Sequence, residues 1–223
     1  FSEDECVQMG AGSQLFCSFS HHTAAARATS AEFLVNANES LAEASSFFRE
    51  ASTIIITLGT AWTFRFNATG EIVSNCLKRD AKEFTRERLS LKTCSVLLNS
   101  LVGKYPQKRF IFTVSPIRHL KDGAHGNQIS KSTLLMAVES VVENHQDQCA
   151  YFPAYEIMMD ELRDYRFYAE DMVHPSQQAV NYIWERFCDF ALPETERATL
   201  EKNRKAFLQS QHRIITKPQN TDK

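Results

Sequence analysis

The sequence lacks the simple markers of a metal-binding or redox protein. Its six cysteines (Cys6, Cys17, Cys76, Cys94, Cys149 and Cys188) are scattered, with no Cys-x-x-Cys pair. Neither a zinc site nor a redox dithiol is therefore signalled. Cys94 and Cys188 fall on apolar helical faces and read as small core residues. Charge of one sign is also lacking. The net charge is −2, which points to neither a nucleic acid nor a membrane as partner. No apolar run approaches the roughly 20 residues needed to span a bilayer. Unpaired thiols suit a reduced, cytoplasmic setting. An initiating methionine is missing too, because the chain opens at Phe1 in a polar segment. That start suggests a fragment and leaves open a signal peptide upstream.

What is present is enough for one domain and a tail. The 223 residues are 43% hydrophobic and include 16 phenylalanines, which fill a sizeable core. Thr53–Leu58 and Arg109–Val114 are continuous, largely β-branched or aromatic runs, the pattern of parallel strands covered on both faces. Cys149–Phe152 is a third, short strand, and Gln14–Ser20 alternates weakly. Thr63–Val73 reads as a hairpin turning at Asn67-Ala68-Thr69-Gly70. Helical spacing marks residues 30–48, with a break near Asn36–Ser40, then 90–105, with Leu91, Val96 or Cys94, Leu97, Leu98 and Leu101 inward. Further helices are expected at 131–144, 155–164, 176–190 and 194–212, the last with a thin apolar face. Phe1–Gly12, Arg79–Arg88 and Lys121–Asn127 read as irregular, and Lys217–Lys223 as disordered.

Strands alternating with helices predict a three-layer α/β/α sandwich with a mainly parallel sheet, of flavodoxin-like type. Ligands of such folds sit beyond the carboxyl ends of the strands. Three segments fall there: Gly59-Thr60-Ala61-Trp62, Ser115–His119, and the loop around Asp171 and His174. That loop is the most informative stretch. Asp171 stands three residues before His174, and Pro175 and Ser176 then open a helix. Pro175 pushes His174 towards an extended conformation. A loop histidine with an acid one turn back suits a general base oriented by a carboxylate. The plainer alternative is a pair that caps the helix.

The segments Leu58–Trp62, Asn75-Cys76, Ser115–Gly123 and Asp160–Ser176 together resemble the GSCFA family, a branch of the SGNH (GDSL-like) hydrolase superfamily. The likeness runs from about Gln14 to Phe190. It implies a domain over 14–192, with residues 193–223 as a C-terminal helix and tail. It also implies ester hydrolysis through a serine nucleophile and an acyl-enzyme. The superfamily's Asp-x-x-His block is matched by Asp171 and His174 as triad acid and base. Its oxyanion asparagine is matched by Ala61, which has no donor in its side chain. Asn75 is the nearest polar substitute. The Gly-Ser-Cys-Phe-Ala stretch after the family's first strand is absent. The chain therefore resembles a family member lacking its first strand, its nucleophile and the helix that follows. That loss implies an unpaired sheet edge, an exposed apolar face and no esterase activity in this piece alone.

On this reading Gly59, Thr60, Asn75, His119 and Asn127 serve the oxyanion or the substrate. Gly59 offers a backbone N–H, or simply a turn needing positive φ. His119, beside Arg118, holds an anionic substrate, or only orders its loop, and Asn127 is weighed in the same way. Ser13 is a weak nucleophile candidate, because no buried strand precedes it. His21-His22 join the site or bind a metal, though no acid or cysteine stands at ligand spacing. Trp62 reads as a packing wall. Arg163, Asp164 and Arg166 read as a buried or half-buried network under the central loop. Neither a metal nor a cofactor is expected. The implied substrate is a small-molecule or carbohydrate ester, and acyl transfer to a sugar hydroxyl uses the same residues. A non-catalytic binding module of the same shape is the alternative from another class.

Overall fold

The computed structural model describes residues 1–211. The first segment is more ordered than its polarity suggests. A short 3-10 turn (Glu3–Glu5) leads into β1 (Val7–Gln8), which pairs antiparallel with β2 (Phe16–Cys17). Met9, Cys17, Phe33, Ala37 and Leu77 form a buried cluster there, with Phe1, Cys6 and Val7 packed against it. Residues 1–13, expected to lie before the domain, are thus part of its packing.

Helix α1 (Ser30–Glu50) starts on a capping box, with Thr29 accepting from the Glu32 N–H and Glu32 reaching back to the Thr29 N–H. The expected break at Asn36–Ser40 does not occur. Asn36 donates to the Glu32 carbonyl at 2.8 Å and Asn38 donates to the Phe1 carbonyl at 3.0 Å. The Asn36 amide bonds back to the carbonyl one turn earlier and the Asn38 amide bonds outside the helix, so neither breaks the ladder.

The main sheet contains β3 (Thr53–Leu58), β7 (Arg109–Val114) and β8 (Cys149–Phe152), all parallel, in the order β3-β7-β8. In the chain between β3 and β7 comes a second, antiparallel sheet. Its members are β4 (Trp62–Phe66), β5 (Ile72–Val73) and β6 (Phe84–Arg88), with β4 in the middle. The hairpin β4–β5 is as expected, but β6 replaces an expected charged connection. Phe84 is its only buried side chain, and its charges face partners: Glu87 pairs with Arg65, and Arg86 stacks over Trp62 at 4.3 Å.

One face of the main sheet is covered by α2 (Leu91–Lys104) and α3 (Gly123–Asn144). Val102, Val138 and Val141 pack there on Phe110 and Phe112, with Ile54, Ile56, Leu98 and Leu101 alongside. The inward stripe of α2 is Cys94, Leu98, Leu101 and Val102, whereas Leu91, Val96 and Leu97 face solvent. Helix α3 begins at Gly123 (φ +64°) and absorbs most of the loop expected at 121–127.

Past β8, a short helix α4 (Ala154–Glu156) continues as a π-helical turn to Leu162. Then α5 (Gln177–Ala191) covers the other face, setting Tyr182, Ile183 and Phe187 on Ile111, Phe152 and Ile157. Helices on both faces of a parallel sheet make the three-layer α/β arrangement that the sequence predicts. A last helix, α6 (Glu194–Gln211), leaves Phe207 and Leu208 exposed. The expected disorder at 217–223 lies outside the described residues.

Strand β3 departs from the expected pattern of a strand covered on both faces, and shows instead the open edge and exposed apolar face that the family resemblance implies. Its residues alternate between half-buried and exposed, and Ile55 is 53% exposed. The strand lies at the edge of the sheet, and α5 does not reach over that face. Ile55, Thr57, Ser115, Pro175, Val180 and Trp184 instead border an open apolar groove of about 360 Å³. Among the described residues no helix is long and apolar enough to cross a membrane.

Candidate active site

The loop between the 3-10 turn Tyr165–Phe167 and α5 is fastened at both ends. Tyr168 and Pro175 form an antiparallel bridge, the Ala169 N–H donates to the His174 carbonyl at 2.8 Å, and the Ser176 N–H donates to the Phe167 carbonyl at 2.7 Å. Met172 adopts φ +59° at the tip, a left-handed conformation that the closed loop enforces. Ser176 caps α5 by accepting from the Ala179 N–H at 3.3 Å.

Within this frame the acid and the histidine meet. His174 Nδ1 lies 2.6 Å from Asp171 Oδ2, while Asp171 Oδ1 accepts from the Val173 and His174 N–H groups, each at 2.9 Å. The backbone N–H of His174, then its side chain, then the Val173 N–H hold the Asp171 carboxyl down at about 2. It is therefore ionised at any working pH and accepts the Nδ1 proton. That tautomer leaves Nε2 with its lone pair, and Nε2 has no hydrogen-bond partner among the described residues. Both side chains are about half exposed, at 58% and 50%. The pair is open to a reactant.

The neighbouring loop after β7 is tied to it. The Arg118 N–H donates to the Val173 carbonyl at 3.4 Å, its guanidinium reaches the Met172 carbonyl at 3.5 Å, and it lies over the Tyr168 ring at 3.9 Å. Next in sequence, His119 Nε2 donates to the Gly59 carbonyl at 3.1 Å, and its own N–H donates to Asn127 Oδ1 at 3.0 Å. Gly59, Thr60, His119 and Asn127 are thus brought together at the carboxyl ends of β3 and β7. Gly59 does not have a positive φ, so the turn alternative does not explain it. Among the described residues the Gly59 and Thr60 N–H groups have no hydrogen-bond acceptor. Asn75 is not drawn in: it accepts from the Leu77 N–H at 2.8 Å, and its own N–H donates to Phe19.

Two residues that the sequence reading passed over organise this end of the sheet. Lys131 is fully buried, and its ammonium donates to the Gly59 and Ser115 carbonyls, both at 2.6 Å. Burial pulls it down to about 8. Ser130, also fully buried, accepts from the Ala61 N–H at 2.8 Å and bonds Thr60 Oγ1 at 3.0 Å. Lys131 stands in register with Leu134, Val138 and Val141 on the inward stripe of α3. A charge on an apolar stripe was the signal available in the sequence.

The remaining candidates serve the fold. Ser13 Oγ accepts from the Leu15 N–H at 3.2 Å. His21 bonds Ser18 Oγ at 2.7 Å, and its ring meets Phe1 and Phe33 edge-on. His22 Nδ1 accepts from the Ala24 N–H at 3.1 Å and caps a 3-10 turn. Arg163, Asp164 and Arg166 are on the surface, not in a buried network, and the Arg166–Asp164 contact of 3.7 Å joins side chains 71% and 55% exposed. Among the described residues no three metal-ligating side chains gather. Burial pushes all six unpaired thiols up, which makes them poor nucleophiles.

Fold and site together define an α/β/α protein with an acid–histidine pair beside the carboxyl ends of its parallel strands. Residues 1–187 match the model of the GSCFA family, and the chain belongs to that family. No curated protein and no solved structure matches it.

Proposed function

We propose that the chain carries the acid–base half of an SGNH-type serine hydrolase acting on esters. The observation behind this reading is the 2.6 Å bond from His174 Nδ1 to Asp171, with Nε2 open. No serine hydroxyl bonds Nε2 among the described residues, so the reading takes the nucleophile from outside the 223 residues. His174 Nε2 accepts the hydroxyl proton as the serine oxygen attacks the ester carbonyl carbon. The carbonyl π electrons move onto oxygen, and on this reading the Gly59 and Thr60 N–H groups, which have no acceptor among the described residues, donate to that oxyanion. Collapse breaks the bond to the alkoxide, which takes the proton from His174 and leaves as alcohol. Water then repeats the sequence on the acyl-enzyme, and the acid and free serine are released. Asp171 holds the productive tautomer and stabilises the imidazolium. A sugar hydroxyl in place of that water gives acyl transfer instead. The substrate is a small-molecule or carbohydrate ester, and the six unpaired cysteines suit a cytoplasmic setting.

Ala61 favours a second reading. It stands where the superfamily has its oxyanion asparagine, and its N–H is already spent on Ser130. A site one donor short fits a binding module with no chemistry. A fluorophosphonate probe on the complete protein separates the two readings. The hydrolase is expected to be labelled, and His174→Ala is expected to lose labelling and turnover with its thermal midpoint kept. An unlabelled protein beside a reacting control hydrolase selects the binding module.

A further inference from the structure

We propose that the site takes an ester bearing an anionic group, a carboxylate or a phosphate, seated in the cavity beside the His174 loop. The word ester rests on the hydrolase reading, whereas the anion site stands on its own geometry. The cavity holds about 400 Å³, enough for a small organic acid or one sugar ring. Thr60 and His119 line it from the strand ends, and Val173, next to His174, lines it from the loop. Its remaining walls carry Arg86, Arg118, Lys121 and a single carboxylate, Asp122.

The charges do not cancel. Asp122 is 2% exposed and pairs with Arg86 at 2.5 Å. Arg118 and Lys121 have no carboxylate partner among the described residues. Each is held by an aromatic face instead, Arg118 over Tyr168 at 3.9 Å and Lys121 over Phe64 at 5.5 Å. An aromatic ring orients a cation without neutralising it. Two unneutralised cations across one concave wall focus a positive potential. Arg118 is also bonded to the Met172 and Val173 carbonyls. An anion on Arg118 is therefore held at a fixed offset from His174, which is what orienting a substrate requires.

Binding is measured apart from turnover, by calorimetric titration of the complete His174→Ala protein. The probes are succinate, inorganic phosphate and the neutral succinamide. Succinate or phosphate is expected to bind at least about tenfold more tightly than succinamide, and the tighter of the two names the anion. Arg118→Met and Lys121→Met are each expected to weaken it about tenfold, the scale of one charge-assisted hydrogen bond. Lys92→Met, on the exposed start of α2, is the control and should change nothing. Lys121 has no hydrogen bond to the loop, so its variant tests the charge even if Arg118→Met loosens the fold. Equal binding of succinate and succinamide, or anion binding unchanged by both variants, overturns the proposal. Anion binding without fluorophosphonate labelling keeps this site and removes the hydrolase. Labelling without anion binding does the reverse.

Discussion

Lys131 illustrates how one side chain can set a site that it does not enter. Its ammonium holds the carbonyls that follow β3 and β7, Gly59 and Ser115. It thereby fixes the spacing of the two loops that carry Thr60 and His119. A buried ammonium without a carboxylate is costly, and the cost appears as a pKa of about 8 against 10.5 in the unfolded chain. Between those values the unfolded state binds more protons than the folded one, so stability rises with pH. The contribution is complete above the unfolded value and is lost as pH falls through about 8. Urea denaturation of the wild type and of Lys131→Met at several pH values reads this directly. The wild type is expected to gain on the variant from pH 8 to pH 10.5 and to run parallel to it below pH 7. Parallel curves throughout would show that folding leaves the Lys131 pKa unshifted.

At the scale of elements, helix α5 both covers the sheet and presents His174. Ser176 starts it, through the bond from the Ala179 N–H. Ser176→Ala is expected to cost about 1 kcal/mol, the usual price of an N-cap, and Ser176→Asp to restore most of it. Equal urea midpoints for the serine and alanine forms would mean that the cap is idle. This loop was legible in the sequence because acid, histidine, proline and serine lie within six residues of one another, and local chemistry sets local geometry. The strand β6 was not legible. Its residues Thr85-Arg86-Glu87-Arg88 read as a charged connection, and only the fold supplies partners, Arg65 for Glu87 and Trp62 and Asp122 for Arg86. The start of α3 was hidden for a related reason. Gly123 and Gly126 suggest a loop from local propensity, yet Asp122 and Arg86 pair across from another sheet and fix the turn before it. Gly59 and His119 were both expected at the carboxyl ends of the strands from strand order, and they meet there. The bond from Lys131 to Gly59 was harder to reach: it joins positions 72 residues apart, and a charge on an apolar stripe was its one local sign.

At the scale of the whole molecule, the packed layers run from the first residues to the end of α5, much the span that the family match covers. The apolar groove beside Ile55 marks where the sheet is left uncovered. Beyond Leu192 the packing changes character. The hydrogen bonds that fasten α6 to the rest come from Arg197, which reaches Asp189 Oδ1 at 2.7 Å, the Asp189 carbonyl at 3.0 Å and the Leu192 carbonyl at 3.3 Å. Those side chains are 40% and 50% exposed. Exposed pairs of this kind contribute about 0–1 kcal/mol, and Phe207 and Leu208, both in solvent, bury nothing on the sheet. A chain ended after Leu192 is therefore expected to keep its urea midpoint within about 1 kcal/mol of the complete one. Fluorophosphonate reactivity and anion binding should be unchanged if α6 is an appendage. A larger loss of stability would place α6 within the domain and show that its exposed apolar residues pack on something that the isolated fold does not contain.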